Sequence, residues 1–214
     1  MNLRIAAGVV AVLVLVGCGP TPEPEPSPGA SSAATATVTP TPTVPSSPTP
    51  TVAPDPVVPM DPGDPSTWVI GFDAVGPLVP GMTPDAALAA AVGYEGSSYE
   101  GCPVIFADRS GYPSLALTYW PDDVVNRIIV RWKDGGAPDF ATSPKTDKGI
   151  GLGSPAADFL SAYPEAQMIV DQGDSFRVFA VGNNAGRYLL FALTDNIVHS
   201  IDVTSEPTFG FELC

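Results

Sequence analysis

The sequence predicts an α+β fold of two tandem repeats, each a short helical segment packed on an antiparallel sheet. Three observations predict it. Residues recur in order at an offset of about 72 or 73 positions. Each copy opens with a helix start signal, and each continues with alternating apolar stretches separated by turn residues. Repeat 1 spans 66–140 and repeat 2 spans 141–214.

Overlaying the copies puts Leu78, Gly81 and Leu88 on Ile150, Gly153 and Leu160, and Phe106-Ala107 on Phe179-Ala180. Ser114 to Val130 then falls on Arg187 to Val203. Thr83-Pro84 and Ser154-Pro155 each supply a capping hydroxyl followed by a proline suited to the first helical position. Asp85 and Asp158 follow where a carboxylate meets the positive end of the helix dipole. Gly93 stops the first helix, and Tyr163-Pro164 stops the second.

Three strands are predicted in each copy: Val104–Ala107, Leu115–Trp120 and Val124–Trp132, then Arg177–Val181, Tyr188–Leu193 and Ile197–Thr204. Asp122-Asp123 and Asp195-Asn196 read as turns of antiparallel hairpins. Alternation points Val124, Ile128, Val130 and Trp132 inward, with Ile197, Ile201 and Val203 as their counterparts. Arg127, Arg131 and Lys133 point outward, as do Ser200, Asp202 and Thr204.

The amino-terminal part follows a different logic. Arg4 precedes an unbroken small and aliphatic run from Ile5 to Val16, too short for a spanning helix, which needs about 20 apolar residues. The run ends in Leu15-Val16-Gly17-Cys18. This tetrapeptide resembles the lipobox of bacterial lipoproteins, with residues 1–17 as the signal peptide. The resemblance implies cleavage before Cys18, a diacylglycerol on its thiol, and palmitate-like acyl chains holding the protein at the outer face of the cell membrane. Two or more chains give the lasting anchorage that one does not. Residues 18–65 then read as the lipidated Cys and a disordered stalk, since 15 of the 26 prolines fall between Gly19 and Pro65 and no aromatic residue does.

Leu78-Val79-Pro80-Gly81-Met82-Thr83, followed by a short helix, resembles the opening of the helix-plus-sheet domains in BamE-like lipoproteins. Two such units in tandem resemble the secreted β-lactamase inhibitor proteins. That likeness implies helices on one face of the sheet and a concave partner surface on the other. The inhibitors carry a disulfide within each half, for which this chain lacks the cysteines.

Charge and chemistry narrow the function. Residues 66–214 carry 18 Asp or Glu against eight Lys or Arg, the wrong sign for a nucleic-acid partner. With Cys18 assigned to lipid, Cys102 and Cys214 are expected to pair in an oxidising exterior. His199, the only histidine, falls on Asn126 in the overlay and is expected inward and hydrogen-bonded. No Gly-x-Ser-x-Gly elbow accompanies it, and one histidine cannot build a multi-histidine zinc site. Asp171-Gln172-Gly173-Asp174-Ser175 hints at calcium without the later acidic ligand such a loop needs. No catalytic residue, metal or cofactor is therefore assigned.

The expected function is non-catalytic: a protein-binding or envelope-assembly module whose partner is an unidentified envelope or secreted protein, with inhibition of a secreted enzyme as its narrower form. A carboxylate-dependent envelope hydrolase is the alternative. Trp120, Arg127, Arg131, Leu189 and Phe191 are the expected partner-binding residues, placed with Thr118, Ile129 and Asp202 on the sheet face away from the helices. The competing expectation is that Phe209-Gly210-Phe211, or the other repeat, covers Leu189, Phe191 and Leu193 instead.

Overall fold

The computed structural model describes residues 59–133, 140–210 and 213–214. The signal peptide, Cys18, the predicted stalk up to residue 58, and Phe211 lie outside them. In chain order the elements are β1 (Val69–Ile70), α1 (Pro84–Ala90), β2 (Glu95–Ser97), β3 (Val104–Asp108), β4 (Ser114–Thr118) and β5 (Arg127–Arg131). Then come β6 (Lys145–Thr146), α2 (Ala156–Ala162), β7 (Gln167–Asp171), β8 (Arg177–Gly182), β9 (Tyr188–Thr194) and β10 (Ile197–Thr204). The class is mixed helix and sheet, with strands dominant and two short helices.

Eight strands form one antiparallel sheet in the order β2-β3-β4-β5-β10-β9-β8-β7. The seam at its middle is the β5–β10 ladder, where Ile129 stands opposite Asp202. β1 and β6 make a separate parallel pair, Val69 opposite Lys145 and Ile70 opposite Thr146.

One sheet face carries Leu115, Leu117, Ile128, Val130, Leu189, Phe191, Leu193, Ile201 and Val203. The helices close over it with Ala87 and Ala91 of the α1 end, and Phe159 and Tyr163 of the α2 end. Phe191 is fully buried, its ring centroid 4.6 Å from Phe159 and 5.3 Å from Tyr163. The turns before the helices are tied to the sheet. Gly81 N–H donates to the Val125 carbonyl at 2.7 Å, and Val125 N–H donates to that of Met82 at 2.8 Å. Gly153 N–H likewise donates to the Val198 carbonyl at 2.8 Å, and Val198 N–H to that of Ser154 at 2.9 Å. Both glycines take a left-handed backbone, φ 98° at Gly81 and 80° at Gly153, which a side chain would oppose.

Thr83 caps α1 as expected, its hydroxyl accepting from Ala86 N–H at 3.3 Å. At α2 the cap position belongs to Pro155, while the Ser154 hydroxyl accepts from Gly151 N–H at 3.0 Å, so this serine braces the turn before the helix. The folded body also begins before Ser66. Trp68 Nε1 donates to the Asp61 carbonyl at 2.9 Å and Arg109 to that of Gly63 at 2.8 Å.

Several face assignments are corrected. Leu189 and Phe191 lie on the helix side and not with Trp120, Arg127 and Arg131. The overlay slips by one residue in β9. Nine positions separate the paired Thr118 and Arg127, but eight separate the paired Ala192 and Ser200. A slip of one residue transfers every side chain to the opposite face. Val198 replaces Ile197 in the core because the ladder is irregular between Val198 and Ser200. Val125, not Val124, fills the matching place before β5. Four strands were not expected: the sheet edges β2 and β7, and the parallel pair β1 and β6.

The C-terminal segment crosses the other sheet face. Phe209 packs over a small cluster of Val178, Ala180, Leu190 and Ala192, and Leu213 over Cys102, Val104, Ala116 and Ile129. Cys102 and Cys214 form the expected disulfide, with Cα atoms 5.0 Å apart, inside the range such bonds span.

Phe191→Ala is expected to cost about 3–5 kcal/mol of stability, as aromatic truncation in a closed core does. Urea unfolding of the two proteins measures it, and a loss within error of zero would contradict the placement.

Candidate functional site

The sheet face away from the helices gathers the polar residues of the central strands. In β5, Arg127 and Arg131 flank Ile129, and in β10, Ser200 and Thr204 flank Asp202. Register sets Arg131 opposite Ser200 and Arg127 opposite Thr204. All six side chains therefore share one face over the seam.

Asp202 is the most deeply placed of these, 1% exposed. Arg127 Nη1 approaches its Oδ2 at 3.9 Å, while Arg127 Nη2 donates to the Thr208 carbonyl at 2.7 Å. One guanidinium thus joins the buried carboxylate to the crossing C-terminal segment. Among the described residues, Asp202 Oδ1 has no hydrogen-bond partner, and neither does the buried Nε of Arg131. The Arg131 guanidinium lies over the Phe106 ring, 5.5 Å from its centroid.

Among the described residues, three hollows stand out on this face. The first, about 130 Å³, lies under the C-terminal segment and is lined by Arg131, His199, Ser200 and Asp202 with apolar neighbours. His199 is half-buried there, which corrects the expectation of an inward histidine; the ladder irregularity between Val198 and Ser200 turns it out of the core. The second, about 180 Å³, lies beside Phe106, Asp108, Arg131 and Lys133. Partial burial alone would raise the Asp108 carboxyl. Hydrogen bonds from Lys133 and Ser114 outweigh it and hold the group below the usual carboxylate range.

The third hollow, about 350 Å³, is formed by Trp120, Pro121, Asn126, Arg127 and residues just after β10. Trp120 is 69% exposed, on the connection between β4 and β5. Asn126 organises that connection. Its Oδ1 accepts from the Thr118 hydroxyl at 2.6 Å, and its Nδ2 donates to the Trp120 carbonyl. The backbone at Trp120 is thereby fixed, and its side chain lines this hollow together with Arg127.

Of the five expected partner-binding residues, Trp120, Arg127 and Arg131 lie on or beside this face, while Leu189 and Phe191 are in the core. Asp202 and His199 gain importance that alternation did not signal, since their depth depends on the crossing segment. Among the described residues, each hollow has one carboxylate in its lining, Asp202, Asp108 or Glu206. Among the described residues no group of three or more His, Cys, Asp or Glu could hold a metal ion. Asp171 instead closes a tight turn, its Oδ1 accepting from Gly173 N–H at 2.9 Å. No helix of the described residues is long and apolar enough to cross a membrane. No family model, curated protein or solved structure matches the chain.

Burial pushes the Asp202 carboxyl up to about 7, against the opposing pull of the Arg127 charge and the Ser200 hydroxyl. The folded protein therefore holds this proton more tightly than the unfolded chain, whose aspartates titrate near pH ~4. The resulting contribution to stability is full below that pH and is lost as pH rises through about 7. Asp202→Asn has no proton to lose. Its stability relative to wild type is expected to improve between pH 5 and pH 8 in thermal melts, and an unchanged difference would refute the assignment.

Proposed function

We propose that this chain is a lipid-anchored extracytoplasmic protein of two tandem helix-plus-sheet repeats, and that it acts by binding another protein. Four supports favour the repeat. The pairs Gly81–Val125 and Gly153–Val198 make the same backbone hydrogen bonds before each helix. α1 and α2 have the same length, and each buries its side chain at matching overlay positions, Ala87 and Phe159. Sheet order mirrors about the seam. There Ile129 faces its own counterpart Asp202, while Ile128 faces Val203 and Val130 faces Ile201, so that counterparts exchange across a midpoint.

The binding reading rests on Trp120. A large aromatic side chain, exposed yet braced by Asn126 at the edge of a hollow beside Arg127, has the form of an interface anchor. Trp and Arg dominate measured interface energies because they bury much area while keeping polar handles. The expected partner is an envelope or secreted protein, and inhibition of a secreted enzyme is the narrower form. Lipid on Cys18 would keep the module at the outer face of the membrane.

Trp120→Ala is expected to lower capture of the partner by at least about fivefold, near 1 kcal/mol, with the fold intact. Quantitative capture from envelope and secreted fractions on immobilised wild type and variant measures it. Equal recovery of every captured protein would reject the reading. Separately, Cys18→Ser should abolish incorporation of labelled fatty acid and leave precursor uncut; equal labelling of both proteins would reject the anchor.

A further inference from the structure

The hollow at Trp120 joins an exposed indole to one uncommitted charge. Arg127 lines it but is already engaged. Its Nη1 faces Asp202 at 3.9 Å, its Nη2 donates to the Thr208 carbonyl at 2.7 Å, and its side chain is only 14% exposed. Asn126 is likewise committed, to the Thr118 hydroxyl and the Trp120 carbonyl. Glu206 differs. It lines the same hollow, is exposed, and forms no ion pair among the described residues. Its backbone N–H donates to the Thr204 hydroxyl at 3.2 Å, which ties the residue to the end of β10. Asp122 and Asp123 follow Trp120 on the same connection, exposed and equally without an ion pair among the described residues.

That pairing of ring and carboxylate decides which side chain can enter. An apolar side chain laid on the indole would cover the Glu206 carboxylate with carbon and desolvate it without a partner, which is unfavourable. An acidic one would meet like charge. A cation on an apolar stem satisfies both walls, because the aromatic face and the carboxylate each attract its charge while its methylenes lie along the ring. Arginine does this better than lysine. Its guanidinium is planar, stacks on an indole, and presents a fork that both oxygens of a carboxylate can accept. A hollow of about 350 Å³ has room for one such side chain. Over residues 66–214, 18 Asp or Glu against eight Lys or Arg also steer a basic surface toward the protein.

On the reading of Trp120 as an interface anchor, we propose that its hollow is a socket for an arginine side chain of a basic partner protein, stacked on the indole and donating from its guanidinium to the Glu206 carboxylate.

The test is an NMR titration of the full chain at pH 8, where Asp202 is ionised beside Arg127, in salt of about 0.1 M to screen diffuse attraction. The ring C–H signals of Trp120, identified by their loss in Trp120→Leu, are followed. Acetyl-triarginine amide is expected to shift them saturably, with Kd near 1 mM or tighter. The citrulline counterpart, of the same shape without the charge, should bind at least about tenfold more weakly, and trilysine at least about threefold. Glu206→Gln should weaken triarginine by at least about threefold. Glu165→Gln, which removes an equal charge beside the edge strand β7, should leave it unchanged. Glu165 and Glu206 are both exposed, so both variants keep the fold. No saturation by about 20 mM, equal binding of either other peptide, or equal losses from the two glutamate variants would each overturn the proposal. If Trp120→Ala still lowers capture from envelope and secreted fractions, such a result removes the arginine and leaves the partner reading standing.

Discussion

Everything else in this molecule depends on the β5–β10 ladder. Without it the sheet would fall into two four-stranded pieces, each with a seven-residue helix to cover it. Neither piece is large enough to exclude water from both sides of its apolar face, because small units bury a smaller share of their surface. Pairing at the seam places Ile128 and Val130 against Val203 and Ile201, and one continuous core then runs beneath both helices. The same ladder brings Arg127, Arg131, Ser200 and Asp202 together on the opposite face. Core and candidate site are two sides of one register.

Much of this was legible in the residues. Thr83-Pro84 marked the first helix, and the alternation in Ile128 to Arg131 and in Ile201 to Thr204 assigned both faces of the seam correctly. Pairing of the two remaining cysteines also followed from their number. The failures have local causes. Leu189 and Phe191 were placed on the wrong face because a turn one residue shorter in the second half cannot be seen in an overlay of similar residues. β2 has no apolar residue to alternate, and β7 is an edge strand with an interrupted ladder. The depth of Asp202 escaped because alternation assigns a face without saying what lies across it.

What lies across it is the C-terminal segment, and its hold on the sheet is both apolar and polar. Phe209 and Leu213 shield two small clusters that would otherwise be open to water. Arg127 reaches the Thr208 carbonyl while facing Asp202, and in doing so lowers the cost of a buried carboxylate. A buried ion pair of this kind adds little to stability when its desolvation is only partly offset. The segment, the arginine and the aspartate consequently specify one another, and Trp120 sits at the edge of the same construction.

The Cys102–Cys214 bond has a mechanical meaning as well as a thermodynamic one. It makes a covalent ring of the seam strands, α2 and the crossing segment, leaving β1, α1 and β2 outside it. Tension applied between the amino-terminal side and the last residue enters the ring at Cys102 and leaves it at Cys214, so the load bypasses the sheet's central ladder. Only the portion ahead of Cys102 can then lengthen under tension, however hard the chain is pulled, while the ring keeps its contour short.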